Sequence, residues 1–238
     1  MNFTDTLTKA AEEFGISLEA AQLQAFDIYY QLVIEWNQKM NLTAITEPEE
    51  FAVKHVIDSL SALDMARFPE NASLIDVGTG AGFPGIPLKI MRPDLKLVLV
   101  DSLNKRVGFL REVASRISFS DTEAIHGRAE ELARDKQYRE KFTLATARAV
   151  ARLNVLCELC VPFVKTGGYF IAMKGAQYQE EISEAKRSLA VLGCDIEEAR
   201  RVILPGLDDI RAVIYIHKQK QTSSEYPRRA GIPEKKPL

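Results

Sequence analysis

The 238-residue chain has 31 Lys and Arg, 33 Asp and Glu, a formal net charge of −2, 46% apolar residues, 27% charged residues and three cysteines. That length suits one large domain or a domain with a small extension, the composition excludes a disordered chain, and no window approaches the ~18 apolar residues of a membrane-spanning helix. The start Met1-Asn2-Phe3-Thr4-Asp5 has neither a basic run nor an apolar stretch, so a cytosolic monomer with no membrane association is expected.

In chain order, the first ~70 residues read as helical. Phe26, Tyr30, Val33, Trp36 and Met40 recur at helical spacing behind Ser17 as a cap, predicting an amphipathic helix that ends near Asn41, with Trp36 and Tyr30 in the core. Thr46-Glu47-Pro48-Glu49 reads as a capping box that opens a second helix, with Val53, Val56, Ile57, Leu60 and Leu63 on one side. His55 and Asp58, three apart on it, read as a surface pair without a catalytic role. Pro69, Asn71 and Ser73 then break the pattern and predict a boundary near residue 70.

From there short apolar runs, Leu74–Val77, Leu95–Val100, Glu123–His126, Leu144–Ala147 and Tyr169–Met173, are spaced widely enough for crossover helices. This rhythm predicts a doubly wound α/β fold on a parallel sheet. Beyond Gly193, Arg201–Leu204 and Ile210–His217 flank Pro205-Gly206-Leu207-Asp208-Asp209, predicting a C-terminal antiparallel hairpin at one edge. Residues 1–70 form a helical layer on this reading, 71–220 the catalytic domain and 221–238 a basic, loosely ordered tail. From His217 onward six Lys or Arg face two Glu, so this end carries +4 and the remainder −6, a distribution suited to a polyanionic partner.

The cysteines give no disulfide framework. Cys157 and Cys160 form a C-x-x-C, but Cys194 stands alone and the histidines are only His55, His126 and His217, so no metal site is expected.

Leu74 through Pro87 carries two overlapping glycine patterns. Gly80, Gly82 and Gly85 spell the G-x-G-x-x-G of a dinucleotide turn, whereas Asp76, Gly78, Gly80 and Gly82 spell the D-x-G-x-G-x-G associated with S-adenosylmethionine. Both place the ligand at the carboxyl end of the sheet, and Asp101, at the end of the second strand, can accept ribose hydroxyls from either. Three features favour S-adenosylmethionine. Asp76 suits a cationic ligand and repels a pyrophosphate, none of the seven tyrosines precedes a lysine by four positions, and an edge hairpin after the fifth parallel strand belongs to the seven-stranded methyltransferase sheet. An NAD-dependent oxidoreductase and an RNA-binding protein without turnover are the rival readings.

The slot after the fourth strand reads Thr146-Ala147-Arg148-Ala149-Val150, without the Asn/Asp-Pro-Pro-aromatic run used on exocyclic amines. Neither Cys157 nor Cys160 sits where a pyrimidine-C5 nucleophile is needed. A ring nitrogen with a free lone pair, such as guanine N7, suits what remains, because its methylation needs alignment and no base. Arg148 beside the methyl donor can meet the guanine O6 and N7, a phosphate or the methionine carboxylate. Arg128, Lys174 and Arg211 also fall at strand ends or turns, whereas Lys105 and Arg106 read first as a solvated helix face.

Taken together, Trp36-Asn37 with Asn41-Leu42-Thr43, His55 with Asp58-Ser59, Asp76 through Pro84, Asp101 through Arg106, Arg128-Ala129-Glu130, Thr146 through Ala149 and Met173-Lys174-Gly175 resemble the bacterial 16S ribosomal RNA guanine-N7 methyltransferase family, formerly called glucose-inhibited division protein B. The resemblance covers nearly the whole chain. It implies a class I S-adenosylmethionine-dependent methyltransferase sheet of seven strands, and methyl transfer to N7 of one guanine in the decoding region of 16S RNA, on bare RNA or a small-subunit particle. By position it implies Asp76, Gly78, Gly80, Gly82 and Phe83 around the cofactor, Asp101 and Ser102 at its ribose, Ala129 and Glu130 at its adenosine end, and Arg148 between cofactor and base, with Arg128 and Arg211 as the other arginines of the active face.

Overall fold

The computed structural model describes residues 2–238. One seven-stranded sheet runs through it in the order β3-β2-β1-β4-β5-β7-β6, built from β1 (Ser73–Val77), β2 (Lys96–Asp101), β3 (Thr122–His126), β4 (Phe142–Arg148), β5 (Val164–Lys174), β6 (Cys194–Val202) and β7 (Arg211–Lys218). The first five pair in parallel, and β7 runs antiparallel to both β5 and β6. Strand order reverses between β1 and β4, the crevice where doubly wound sheets bind ligands. The predicted class and edge hairpin are thus present. The outer hairpin strand starts at Cys194 and not at Arg201, because along it charged side chains alternate outward and no apolar run marks it.

On one face lie α1 (Phe3–Phe14), α2 (Ala20–Asn37) and a helical segment made of α3 (Pro48–Phe51), a π turn (Ala52–Ile57) and α4 (Asp58–Leu60), followed in the chain by α5 (Gly85–Met91) and α6 (Asn104–Arg116). The helix α1 is marked by the Asn2 Oδ1 cap on Asp5 N and by Gly15 in the left-handed region. The predicted Ser17 cap gives way to Glu19, which pairs reciprocally with Gln22. That helix ends at Asn37 rather than near Asn41, because the Asn37 amide accepts from Leu42 N and Thr43 N and donates to Thr43 O, turning the chain away. Thr46 caps nothing with its side chain; its carbonyl accepts from the Tyr30 hydroxyl, and Glu47 opens α3.

The other face is covered by α7 (Ala129–Leu132), α8 (Leu153–Cys160), the 3₁₀ turn Val161–Phe163, α9 (Tyr178–Leu192) and the short α10 (Ile232–Lys235). The period of two along a strand sorts the sheet residues between these layers. Leu74, Leu144 and Ile171 join the core under the N-terminal helices, whereas Ile75, Val77, Ala145, Ala147 and Ala172 join the core under α8 and α9. Asp76, Thr146 and Arg148 therefore emerge on the side of the N-terminal helices, and this parity positions the site.

The C-terminal segment is not loose, contrary to the sequence expectation. Arg139 donates to the carbonyls of Thr222, Ser223 and Tyr226, and Arg134 to those of Glu225 and Pro227. Arg228 forks onto the fully buried Glu158 at 2.6 Å, and its own N–H donates to the same carboxylate. Lys218, also buried, is held at 2.7 Å by Glu140. Two of the six cations counted toward a polyanionic partner are thus spent on internal carboxylates. No helix among the described residues is long and apolar enough to cross a membrane.

Candidate functional site

At the carboxyl edge of the sheet the chain forms two cavities. The first, a cleft of about 250 Å³, lies on the α8 side, between Val77, Gly78, Val100, Asp101 and Ser102 and the wall of Arg128, Ala129, Glu130, Val155 and Leu159. Gly78 has φ +70, and a Cβ on it would stand 2.7 Å from a Val150 methyl, so only glycine lets the turn and the neighbouring segment approach. Gly82, at φ +103, is pressed beneath Ile86 and the Tyr29 hydroxyl, and that hydroxyl donates to the Ala81 carbonyl at 2.6 Å. The N-terminal helices thereby brace the glycine loop. Gly80 contributes its N–H, which donates to Asp101 at 3.0 Å. Asp101 also accepts from Leu103 N at 2.8 Å and lies 3.5 Å from Arg106 Nη1; Arg106, expected on a solvated face, is half-buried.

Of the residues expected around a cofactor, Gly78, Asp101, Ser102, Ala129 and Glu130 line this cleft. Asp76 does not. Strand parity turns it away, and its fully buried carboxylate accepts from Thr79 Oγ1 at 2.6 Å, Gly85 N at 2.9 Å and Thr146 Oγ1 at 3.2 Å. Burial pushes its pKa up to about 6 against the pull of these donors. Asp76 therefore ties β1, the glycine loop and β4 together, and the direct attraction for a cationic ligand expected of it has no geometric basis. Phe83 is likewise buried and outside the cleft.

The second cavity, about 130 Å³, lies at the ends of β4, β5 and β7, between Asp58, Ser61, Arg148, Met173 and Arg211 on the side of the N-terminal helices and Lys174 and Glu181 on the side of α9. Arg148 is fixed from three sides. Its Nη1 donates to Asp58 Oδ2 at 2.8 Å and to the Lys54 carbonyl at 3.2 Å, its Nη2 meets His55 Nδ1 at 3.2 Å, and its guanidinium lies 4.7 Å from the Phe83 ring centre. His55 and Asp58 are thus buried supports of Arg148 rather than the surface pair read from sequence. The Lys54 carbonyl belongs to the π turn, a helical irregularity often found at functional sites. With Nη1 doubly engaged, the fork expected to grip a base is half closed: Nε–H and one Nη2 hydrogen remain. Arg211 donates to Asp209 at 3.3 Å, and its Nε is buried without a partner among the described residues. Lys174 is held by Glu181 at 2.7 Å and by the Ala151 carbonyl at 2.8 Å. Arg128 lines the first cleft and so is separated from the other two arginines.

Between the cavities runs Ala149-Val150-Ala151. Ala149 faces the second cavity with a left-handed backbone, φ +55, while Val150 and Ala151 face the first. A non-glycine residue in that region is strained and tends to be retained at functional sites.

His55 Nε2 contacts Thr43 Oγ1 at 2.7 Å. Since the guanidinium can only donate, Nδ1 accepts and the proton sits on Nε2. Burial, then the Arg148 charge, lowers the His55 pKa from 6.5 to about 3. The unfolded chain consequently binds a proton that the folded chain refuses between about pH 3 and 6.5, so this group's contribution to stability is complete above 6.5 and declines below it. Asp76 acts in the opposite sense between 3.8 and about 6, where the folded chain holds the extra proton. His55→Gln should accordingly cost stability at pH 7.5, with the gap from wild type narrowing by up to about 2 kcal/mol at pH 5. Urea titrations at the two pH values test this, and an unchanged gap would show that His55 is not held neutral.

Cys157, Cys160 and Cys194 are buried thiols, their pKa values raised by that burial. They pack the core under α8 and α9.

The fit to a nucleoside sulfonium is good: a glycine permits close backbone approach, a carboxylate stands at the end of β2, and an apolar slot of Val100, Ala129, Val155 and Leu159 suits a flat base. Comparison with known proteins agrees. The family model described as rRNA small subunit methyltransferase G matches residues 22–202. A protein named ribosomal RNA small subunit methyltransferase G from Desulforamulus reducens is 49% identical over 100% of this chain and 99% of its own, and one from Alkaliphilus metalliredigens is 50% identical over 98% and 97%. Among solved structures, a precorrin-6y C5,15-methyltransferase from Geobacter metallireducens (TM-score 0.51, 13% identity, 76% of this chain and 92% of that one) and the Methanococcus jannaschii fibrillarin pre-rRNA processing protein (0.52, 16%, 66% and 71%) share the fold.

Proposed function

The chain belongs to the rRNA small subunit methyltransferase G family, and from that premise we propose that its target atom is N7 of a guanine in the decoding region of 16S rRNA. It is an S-adenosylmethionine-dependent rRNA methyltransferase; the dinucleotide reading of its glycine loop is withdrawn. The observation that carries the choice of atom is the absence of a usable base in the second cavity. Its two carboxylates are committed, Asp58 to Arg148 and Glu181 to Lys174 and the Leu153 N–H, and the neighbouring His55 has both ring nitrogens engaged. An exocyclic amine or a hydroxyl must lose a proton on methylation, whereas N7 offers a lone pair and loses none.

When bound, the cofactor supplies an electrophilic methyl group on a sulfonium. Gly78 and Asp101 would hold its backbone-facing and ribose portions, and Ala129 with Leu159 its base. Arg148, kept rigid by Asp58, His55 and Phe83, would donate through Nε–H to guanine O6, leaving N7 unbound and able to attack in line. Arg211 would direct its unpartnered Nε–H to the same base or its phosphate, and Arg128 would meet RNA backbone at the rim of the first cleft. The 16S rRNA partner, bare or in the small subunit, would be engaged by a single chain in the cytoplasm.

Incubation of 16S RNA and of assembled small subunits with protein and S-adenosylmethionine, followed by nuclease digestion and mass spectrometry, is expected to yield N7-methylguanosine at one site. Methyl groups on another atom would refute the choice of N7, and binding without any methylated nucleoside would favour an RNA-binding role without turnover.

A further inference from the structure

The C-terminal segment ends against the first cleft. Gly231 N–H donates to Glu130 at 2.9 Å, placing the start of α10 beside α7, and Pro233 and Glu234 line the cleft together with Ser102 and Ala129. Pro233 is buried and Glu234 is exposed at the rim. The segment is not leaning there by chance, since the Arg228–Glu158 pair and the carbonyl contacts of Arg134 and Arg139 lock residues 222–228 onto the body immediately before it.

We propose that Pro233 and Glu234 form part of the adenosine subsite, with Pro233 closing the slot on the face of the adenine ring and the Glu234 carboxylate accepting a hydrogen bond from its 6-amino group. This rests on the cleft being the cofactor site. The base is the one flat, weakly polar portion of the ligand, and the apolar part of the cleft is the slot bounded by Ala129, Val155, Leu159 and Pro233. Adenine presents a donor at C6, and a carboxylate is an acceptor-only group. The segment thereby acquires a recognition task that its basic composition does not suggest.

The test is calorimetric binding of S-adenosylhomocysteine and of its 6-oxo counterpart S-inosylhomocysteine to three full preparations: wild type, Glu234→Ala, and a chain ending after Gly231. The truncation keeps Arg228, Glu158 and the Gly231–Glu130 bond but removes Leu238, which packs on the core under α8 and α9, so its fold is checked by urea unfolding and the Glu234→Ala preference decides the subsite. Wild type should prefer the amino compound, Glu234→Ala should lose most of that preference with affinity for it down about 5-fold, and the truncated chain should bind it about 10-fold more weakly or worse. Trypsin provides a second readout: S-adenosylhomocysteine should slow cleavage after Lys235 in wild type and not in Glu234→Ala. If wild type binds and both variants match it within about twofold, with no change in preference, the segment has no part in the subsite. If wild type does not bind S-adenosylhomocysteine at all, the cleft assignment itself fails and takes this inference with it.

Discussion

Replacing Arg148 with alanine is expected to lower kcat/KM for RNA methylation by about 100- to 1000-fold, the scale on which a preorganised donor at the reacting centre contributes. The guanidinium cannot be replaced by a lysine ammonium, because three supports read its planar shape: the Asp58 carboxylate, the Phe83 ring and the His55 Nδ1 lone pair. Sequence reading alone expects the alanine variant to lose methylation far more than stability. The structure revises this, since the substitution strands Asp58, which is only 5% exposed, and an unpaired buried carboxylate is costly. The cleaner comparison pairs Arg148→Met with Asp58→Asn, which removes both charges. Steady-state kinetics with the double variant, at a folded fraction checked by circular dichroism and with S-adenosylhomocysteine binding intact, should still show the loss. Activity within about tenfold of wild type would remove Arg148 from the reacting centre.

The largest effect on stability is expected at Arg228. Its fork is the polar partner of Glu158, whose side chain is 1% exposed in the core behind α8. Arg228→Ala leaves that carboxylate with the Arg228 backbone N–H alone and should destabilise the fold by about 3 kcal/mol, the lower end of the range for breaking a buried pair, because Arg228 itself is partly exposed and water can enter. Glu158→Gln in the same chain should restore most of this loss. Equilibrium urea unfolding measures both; a change below about 1 kcal/mol for the single variant would mean that the pair is dispensable.

The parts of the molecule written in local pattern were readable from sequence. The spacing of apolar runs yields the parallel strands, the glycines mark the turn after β1, and Pro205-Gly206 marks the hairpin. What escaped depends on partners far apart in the chain. Arg148 meets Asp58 across 90 positions and Arg228 meets Glu158 across 70, so nothing local distinguishes His55–Asp58 from a surface pair, or the docked terminal segment from a free one. The β6 strand was cut short because an edge strand with alternating charges has no apolar run. Asp76 is a different case. It stands next to Val77 on β1, so strand alternation alone places the two side chains on opposite faces and turns the Asp76 carboxylate away from the first cleft.

That alternation has a consequence for how the protein tolerates change. Because from Leu144 onward even positions of β4 face the N-terminal helices and odd positions the α8 layer, the side on which Arg148 emerges is set by the reading frame of one ribbon. Insertion or deletion of a single residue between Phe142 and Arg148 would exchange the two sides, turning the guanidinium toward the α8 layer and Ala147 toward Asp58, whereas a two-residue change preserves the assignment and alters only reach. A single-residue change there keeps Arg148 on its side only if a β-bulge absorbs it, as the irregularity between Phe142 and Leu144 already does in pairing with β5.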